Sequence, residues 1–401
     1  MRGRASTGGA ATRRWLIWTW IVGLLLAAPS ARAVDVGPDG APLSVEVHGF
    51  VSQGFILSTN GNNYLSADST RGSFQFSEVG LNFTKTLTDR LRVGIQLFAQ
   101  DLGPNGTYDA KMDWFYLDYR FADWFGLRAG RVKIPFGLYN EVNDIDQARL
   151  PILLPQSVYP LEDRNFLLAQ TGGEAYGYVS LGDAGAFEYR LYGGTIFFDT
   201  LIPPGSPYQV IGLNVPYLFG GRLLWEAPIH GLRLAGSLQD LRLDASLLAG
   251  TTTVNVQIPA LLWVGSLEYA AGDWLLSAEY SRWSSKSDST DAMLFPPSST
   301  VVSERAYALA AYRVAPWLQT GAYYSLLFPD VTMRSGRENV QNDIALMMRF
   351  DINNFWLVKL EAHGMLGTAG LQPYESLNNN ASLGALAGTW GVFLAKTTAY
   401  F

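Results

Sequence analysis

Apolar and polar residues alternate along much of this chain, and the segment DRLRVGIQLFAQ (89–100) shows the pattern clearly. Leu91 and Val93 fall on one parity, whereas Arg92 and Gln96 fall on the other. A period of two predicts a β-strand with one apolar face and one polar face. A soluble core or a lipid bilayer could cover the apolar face, so the rest of the chain has to decide between them.

Tight turns and longer polar loops follow one another in strict alternation between these amphipathic segments. The tight turns are rich in Asp, Asn, Gly and Pro, which accept the backbone angles of sharp reversals, and they lie at 88–90, 122–124, 183–185, 230–231, 272–273, 315–316 and 353–354. The longer loops lie at 58–72, 101–109, 136–170, 198–214, 244–252, 285–299, 329–338 and 368–385. These fifteen connections predict sixteen strands, at 44–57, 73–87, 90–100, 110–121, 125–135, 171–182, 186–197, 215–227, 231–242, 253–270, 273–284, 300–314, 317–328, 339–351, 355–367 and 386–401.

Short connections at one end and long connections at the other are typical of a transmembrane antiparallel up-and-down β-barrel. In such barrels the short turns face the periplasm and the long loops face outward. A barrel of sixteen strands is too wide for its own side chains to fill, so it encloses an aqueous channel. We therefore expect an all-β fold in which residues 34–401 form a single barrel, with apolar side chains facing lipid and polar side chains facing water.

Aromatic residues gather next to the tight turns rather than being spread evenly along the strands. Trp124, Trp274 and Trp317 stand at the end of a tight turn or just after it, and Phe121 and Tyr312 precede one. In a barrel these rings would form a girdle at one rim, at the level where amphipathic rings meet lipid headgroups. A soluble β-sandwich gives no reason for this placement, so the pattern favours a membrane.

Residues 1–33 have the features of a cleaved export signal. An arginine-rich start precedes the apolar segment WLIWTWIVGLLLAA (15–28), and the sequence ARA (31–33) supplies a small-x-small cleavage site. The alternative is a transmembrane anchor, but the apolar run of 14 residues is shorter than the roughly 20 residues that a membrane-spanning helix needs. We expect the mature chain to begin at Val34.

The composition of the chain fits an exported membrane barrel better than a cytosolic enzyme. Charged residues make up 16% of the chain, against a usual share of about a quarter, whereas aromatic residues reach 13%. Removing the five arginines of the export signal from 29 basic residues leaves 24 against 35 acidic ones, a formal charge of −11, so no nucleic-acid partner is expected. The chain has no cysteine, which excludes disulfides, thiolate metal sites and cysteine nucleophiles.

One long loop, FGLYNEVNDIDQARLPILLPQSVYPLEDRNFLLAQ (136–170), is the candidate for controlling passage through the barrel. A structureless loop of this length is uncommon and usually functional. Its apolar run LPILLP (150–155) would be a liability on an exposed surface, so we expect the loop to fold into the barrel and narrow it. The charged residues expected to line this constriction are Glu141, Asp144, Asp146, Arg149, Glu162, Asp163 and Arg164.

The polar parity of the wall strands carries arginines that would face the same constriction. These candidates are Arg90, Arg92, Arg120, Arg128, Arg190, Arg222 and Arg233. Acidic loop residues opposite an arginine wall would set up a transverse field that orients dipolar solutes and sorts ions by sign. Alternatively, the arginines pair with Glu188, Glu226 or Asp118 and only neutralise the wall. Arg131 and Lys133 share the parity of lipid-facing residues, so a bulge would be needed to turn them inward.

The segment GRVKIPFGLYNE (130–141), the long third loop and the terminal residue Phe401 resemble bacterial outer-membrane porins, including the phosphate-selective porin family. In general porins the third loop bends into the channel. The resemblance implies passive diffusion of small hydrophilic solutes or ions, through a homotrimer in the outer membrane of a Gram-negative bacterium, with no cofactor. It also implies membrane lipids and the barrel assembly machinery as partners, because a terminal Phe on an alternating strand is similar to the assembly signal of such proteins. A last strand that merely closes the barrel is compatible with this interpretation.

Three other functions fit an exported barrel less well. An outer-membrane enzyme needs a nucleophile, a base and an orienting group within reach, and the three histidines, His48, His230 and His363, stand without a G-x-S-x-G motif or metal-ligand spacing. A receptor with a plug domain needs about 22 strands and a large plug, but only ten residues separate Val34 from the first strand. A structural or adhesive barrel is a further alternative. We expect a channel with no catalytic site and no bound metal.

Overall fold

The computed structural model describes residues 34–36, 45–66, 68–103, 106–197, 209–293, 296–378 and 386–401. Sixteen long strands run through this part of the chain: β1 Val45–Ser58, β2 Ser77–Thr88, β3 Leu91–Asp101, β4 Lys111–Ala122, β5 Phe125–Lys133, β6 Ala169–Ser180, β7 Ala186–Ile196, β8 Gln209–Glu226, β9 Leu232–Ala249, β10 Thr252–Ala271, β11 Trp274–Ser285, β12 Val301–Ala315, β13 Leu318–Phe328, β14 Gln341–Asn353, β15 Trp356–Gly367 and β16 Thr389–Tyr400. Two short strands, Val34–Val36 and Asp288–Ser289, pair with β1 and β10 respectively. The expected export signal at 1–33 lies outside the described residues.

Among the described residues, the helical segments are all short and lie in the connections between strands. A single turn of α-helix, α1, spans Arg164–Leu167. The 3-10 helices are Ser69–Arg71, Asn140–Val142, Asp146–Ala148, Gly182–Ala184, Arg337–Asn339 and Ala369–Asn378. Within the described ranges, no helix is long and apolar enough to cross a membrane.

Each long strand pairs antiparallel with the next along the chain, and the last strand closes the sheet against the first. β16 pairs with β1 from Val392 opposite Ser58 to Tyr400 opposite Phe50. A closed sheet has no free edge, so its backbone groups are hydrogen-bonded within the wall, as a bilayer requires of a spanning sheet. The predicted fold, an all-β antiparallel barrel of sixteen strands, is confirmed.

The two faces of the barrel wall differ as the alternation predicts. On β3, Leu97 is 40% exposed on the outer face, whereas Gln96 on the inner face is 2% exposed. On β14, Ile344 and Leu346 are 52% and 63% exposed, whereas the neighbouring Asp343 is buried. Rows of apolar side chains on an outer face are stable when that face meets the hydrocarbon of a membrane.

The aromatic residues next to the tight turns form a rim at that end of the barrel. Trp124, Trp274 and Trp317 are 62%, 52% and 55% exposed. Trp274 packs against Tyr312 of the adjacent strand with ring centroids 4.8 Å apart, and Trp317 packs against Phe350 at 6.3 Å. This arrangement is the girdle expected where a barrel meets lipid headgroups.

The sheet extends further at the long-loop end than the sequence predicts. The segment 244–252, predicted to be a long loop, instead continues β9 and β10 around a two-residue turn at Gly250, whose φ of +62° is free of strain for glycine. Leu247 and Val254 are buried in an apolar cluster there, so the threonine-rich stretch forms strand, which β-branched residues favour. β8 likewise begins at Gln209, earlier than expected.

The outward position of Leu346 predicts how the barrel responds to a charge in its lipid-facing wall. Leu346→Arg should lower the free energy of unfolding in lipid vesicles by roughly 2–4 kcal/mol, because the guanidinium would enter hydrocarbon. Denaturant titration of vesicle-embedded protein measures this change. Ser335→Arg, in an exposed loop, is the matched control and should have little effect. Equal effects of the two substitutions would contradict a membrane-facing wall at Leu346.

Candidate functional site

The connection between β5 and β6, residues 134–168 and called the third loop from here on, lies inside the barrel. Its side chains Phe136, Val158 and Tyr159 are buried and pack in one cluster with inward-facing residues of the wall. That cluster draws on wall strands from β7 to β14, including Tyr192, Leu241, Leu262, Tyr307, Tyr323 and Met347. The loop therefore packs against a large part of the lumen wall through apolar contacts.

The apolar run at 150–155 bridges two sides of the lumen. Leu150 and Leu154 belong to the cluster just described, whereas Ile152 packs with Trp390 near the seam between β16 and β1. Each fully buried side chain of this kind contributes roughly 1.5–3 kcal/mol relative to exposure. Burial inside the barrel thus removes the exposed apolar surface that the sequence would otherwise present.

Asp146 ties the third loop to the strands of the seam. Its carboxylate lies 2.8 Å from the Lys396 ammonium on β16 and 3.5 Å from that of Lys359 on β15, and it accepts a hydrogen bond from the Thr398 hydroxyl at 2.7 Å. Burial alone would raise the pKa of Asp146, but Lys396 and Lys359 outweigh burial and hold that pKa well below its usual range. The carboxylate stays ionised below about pH 4, where a free aspartate protonates, so its contribution to stability is lost only in stronger acid.

Further wall groups hold the same stretch of the loop through its backbone. Arg349 of β14 donates to the carbonyl oxygen of Gln147 at 2.6 Å, and the Ile152 amide donates to the Glu361 carboxylate of β15. Arg149 pairs with the Asp146 carboxylate at 3.2 Å from within the loop. Loop and seam are therefore joined by hydrogen bonds as well as by charge.

A second ionic cluster joins two parts of the third loop to β4 and β5. Arg164 lies 2.9 Å from Asp144 of the loop and 2.9 Å from Asp113 of β4. Lys133, at the end of β5, lies 3.2 Å from Asp144, and the Arg164 guanidinium covers the Phe98 ring at 4.5 Å. Burial opposes ionisation of Asp144, yet Arg164 and Lys133 hold its pKa well below the usual range.

Glu141 is a loop carboxylate that meets the arginine wall. It lies 3.1 Å from Arg190 on β7 and 3.1 Å from Arg222 on β8. These two arginines stand directly opposite each other on neighbouring strands, so the carboxylate offsets a repulsive like-charge contact. Asp144 and Asp146 instead contact lysines of the strands and arginines of the loop itself. For these two residues, the predicted contact between loop carboxylates and wall arginines is not found.

Wall arginines near the loop are paired with carboxylates of neighbouring strands. This pairing corresponds to the alternative in which carboxylates neutralise the arginines of the wall. Asp118 and Glu188 are among the partners expected from the sequence, and Glu174 and Glu268 are additional partners. Glu226 instead accepts a hydrogen bond from the Tyr178 hydroxyl at 2.9 Å. The pairs are Arg128 with Asp118 and Glu174 at 3.1 Å each, Arg190 with Glu174 at 2.7 Å, Arg222 with Glu188 at 2.7 Å, and Arg233 with Glu268.

Arg90, Arg92 and Arg120 lie at the tight-turn end of the barrel, away from the third loop. Arg90 is in the turn before β3 rather than on the strand, and all three side chains are exposed. Arg120 pairs with Asp123 at 2.7 Å, with side chains 63% and 78% exposed, a setting in which ion pairs contribute little. These three arginines belong to the mouth of the barrel.

The remaining predicted residues lie at the two ends of the barrel. Glu162 lines a cavity at the long-loop end, and burial raises the pKa of the neighbouring Asp163. Phe401 follows β16 at the tight-turn end, where its backbone exchanges hydrogen bonds of 3.0 and 3.1 Å with Gly49. Its ring covers Gly49 so closely that a Cβ on that residue would lie 2.6 Å from the ring.

Three lysines reach the third loop, although the sequence pattern draws attention to arginines. Lys133 does so from the last residue of β5, although the bulge expected there is absent: β5 pairs with β6 in continuous register from Gly126 to Lys133. Nearby, Arg131 donates to a backbone carbonyl of β4 at 2.8 Å. Lys359 and Lys396 occupy inward positions of β15 and β16, so parity alone is the signal that identifies them.

No family model matches the chain. An uncharacterized protein of Aquifex aeolicus (strain VF5) is 30% identical over 194 residues, which is 48% of this chain and 37% of that protein. The chain therefore matches little more than a third of the length of this relative.

Solved structures share the barrel far more completely than they share the sequence. OmpF of Salmonella typhi, in a complex with daunomycin, is 13% identical with a TM-score of 0.56 over 92% of this chain and 100% of its own. OmpT, an outer membrane protein of Vibrio cholerae, is 12% identical with a TM-score of 0.55 over 92% and 100%. The anion-selective porin from Comamonas acidovorans is 12% identical with a TM-score of 0.51 over 89% and 99%. The chain has the fold of outer-membrane porins.

The contacts of Asp146 predict a large effect of its removal on stability. Asp146→Asn should lower the free energy of unfolding by about 3–5 kcal/mol, because it leaves the buried Lys359 and Lys396 without their shared carboxylate. Denaturant titration in lipid vesicles measures the loss. Asp123→Asn removes one partner of an exposed ion pair and serves as the control, with little expected change. If both variants match the parent protein, the loop is not held by this cluster.

Proposed function

We propose that this protein is an outer-membrane porin, a water-filled channel for the passive diffusion of small hydrophilic solutes or ions. The observation that carries the proposal is the third loop inside the lumen, joined to β7 and β8 by Glu141 and to β15 and β16 by Asp146. A barrel of this size is too wide for its own side chains to fill. A loop fixed to distant parts of the wall would narrow the lumen to the dimensions of small solutes.

Cavities on both sides of the third loop support a path through the barrel. The cavity toward the tight turns has a volume of about 290 Å³ and is lined in part by His48, Asn82 and Gln147. The cavity toward the long loops has a volume of about 280 Å³ and is lined in part by Ser303 and Arg305. Polar groups in both volumes suit water and hydrophilic solutes, so we place the path along the polar side of the loop.

The pairing of the wall arginines favours a general channel over a phosphate-specific one. Arg128, Arg190 and Arg222 already hold carboxylates at 2.7 to 3.1 Å, so they form a compensated patch. A ladder that selects phosphate would need guanidinium groups whose donors are not committed to fixed anions. We therefore propose only a weak preference between cations and anions at this level of the channel.

We also propose that the protein is a homotrimer in the outer membrane of a Gram-negative bacterium. A cleaved signal at 1–33 would direct its export. The trimer form of OmpT from Vibrio cholerae, 11% identical with a TM-score of 0.52 over 89% of this chain and 99% of its own, offers a structural precedent. Phe393 and Ala395, on the outer face of β16, are candidates for contact with a neighbouring subunit, and Phe401 is the proposed signal for the barrel assembly machinery. A monomer in native mass measurement would contradict the trimer.

We infer a channel rather than an enzyme. His363, on the inner face of β15, has Nδ1 2.9 Å from Asp343 and Nε2 2.9 Å from Glu361. With a carboxylate against each ring nitrogen, the imidazole is committed to ion pairs and is poorly placed to accept a proton from a nucleophile. Its position under the third loop also separates it from bulk solvent.

The porin proposal predicts electrical conductance. Purified, folded protein added to a planar lipid bilayer should produce stepwise, long-lived increases in current, because a water-filled barrel lets ions pass. Protein unfolded by boiling is the control and should give no steps. Reversal potentials in a salt gradient then report the preference between cations and anions. A silent bilayer with protein that is folded, judged by its heat-modifiable migration in gels, would contradict the proposal.

A further inference from the structure

Arg305 occupies a setting unlike that of the paired arginines of the wall. It lies on the inner face of β12 and lines the cavity of about 280 Å³ at the long-loop end. Among the described residues, no carboxylate comes within 4.0 Å of its guanidinium; Asp163 and Glu162 act on it from farther away. A partly buried guanidinium without a close counter-charge is a favourable place for an anionic group.

The Arg305 side chain is held in a fixed orientation by three contacts. Its Cζ lies 3.5 Å from the centroid of the Trp283 ring, a close cation–π arrangement. Its Nε donates to the Ser303 hydroxyl at 3.0 Å, and its Nη1 donates to the Ser157 carbonyl oxygen at 3.0 Å. No hydrogen bond within the described part of the chain uses Nη2, so this nitrogen remains available to a solute in the cavity.

The rest of the cavity lining indicates the kind of anion. Leu262, Val301 and Leu327 provide apolar surface beside the guanidinium, which suits a solute with a hydrocarbon body. Glu162 also lines the cavity and would repel a doubly charged phosphate more than a singly charged carboxylate. A volume of about 280 Å³ is near the lower end of small-molecule sites, roughly 300–1,000 Å³.

We propose that this outer cavity binds small monocarboxylates with an apolar body, and that Arg305 binds the carboxylate. The third loop contributes Glu162 to the lining of the cavity and accepts a hydrogen bond from Arg305 at the Ser157 carbonyl oxygen, so a solute bound here stands at the entrance to the narrow part of the lumen. The inference rests on the proposed function, because it names a class of solute that the channel would collect at its outer mouth.

Fluorine NMR of trifluorobutanoate with the folded, detergent-solubilised barrel tests this site without requiring conduction. The signal of the acid should broaden in the presence of the protein, whereas that of its neutral amide should not. Arg305→Gln should weaken binding roughly ten- to hundredfold, the usual value of a charge-assisted hydrogen bond, and Arg305→Lys should bind with intermediate affinity. Arg313→Gln, at the other end of the same strand, is the matched control and should bind like the parent protein.

Three outcomes would overturn the assignment. These are unchanged binding by Arg305→Gln, equal binding of the amide, and displacement of the probe by inorganic phosphate as readily as by unlabelled butanoate. Heat-modifiable migration in gels establishes that each variant is folded before it is compared. Binding without conductance would support this site and refute the porin proposal. Conductance without binding would refute this site and leave the porin proposal intact.

Discussion

A charge that leaves water needs an opposite charge close by, and this constraint governs the interior of the barrel. Lys359 and Lys396 are buried in the lumen wall, and Asp146 is the loop carboxylate that lies against both. Removing an ion from water costs several kcal/mol unless a well-placed partner compensates. Lys396 also pairs with Glu78 of β2, whereas Lys359 finds its carboxylate and both of its carbonyl acceptors in the third loop. The wall therefore depends on the loop at Lys359, as the loop depends on the wall at Asp146.

Apolar packing and ion pairing have different roles in holding the third loop. The cluster around Tyr159 and Leu241 stabilises the inserted loop without fixing its register closely, since apolar contact is not directional. The ion pairs of Glu141 and Asp146 do fix it, because they attach distant parts of the loop to different strands. In the proposed porin, water and solutes then pass along the polar side of the lumen.

The barrel itself could be predicted from the sequence because its physical cause is local. Alternation assigns each residue of a strand to one face, so Gln96 and Leu97 could be placed without knowing their neighbours. The partners of the third loop could not be predicted in this way, because Asp146 pairs with Lys396, which lies 250 residues farther along the chain. One local feature also departed from the pattern: the threonines after Gly250 form strand where their composition indicated a loop.

Amide hydrogen exchange across residues 144–154, read by mass spectrometry on the folded barrel, tests most directly whether the third loop is held in the lumen. Protection comparable to that of β14–β16 is expected, because the Ile152 amide and its surroundings are bonded to the wall. The exposed segment 334–337 provides the reference for unprotected backbone. Exchange of 144–154 as fast as that reference would show that the third loop is not held in the lumen, since a loop fixed by buried ion pairs cannot open that freely.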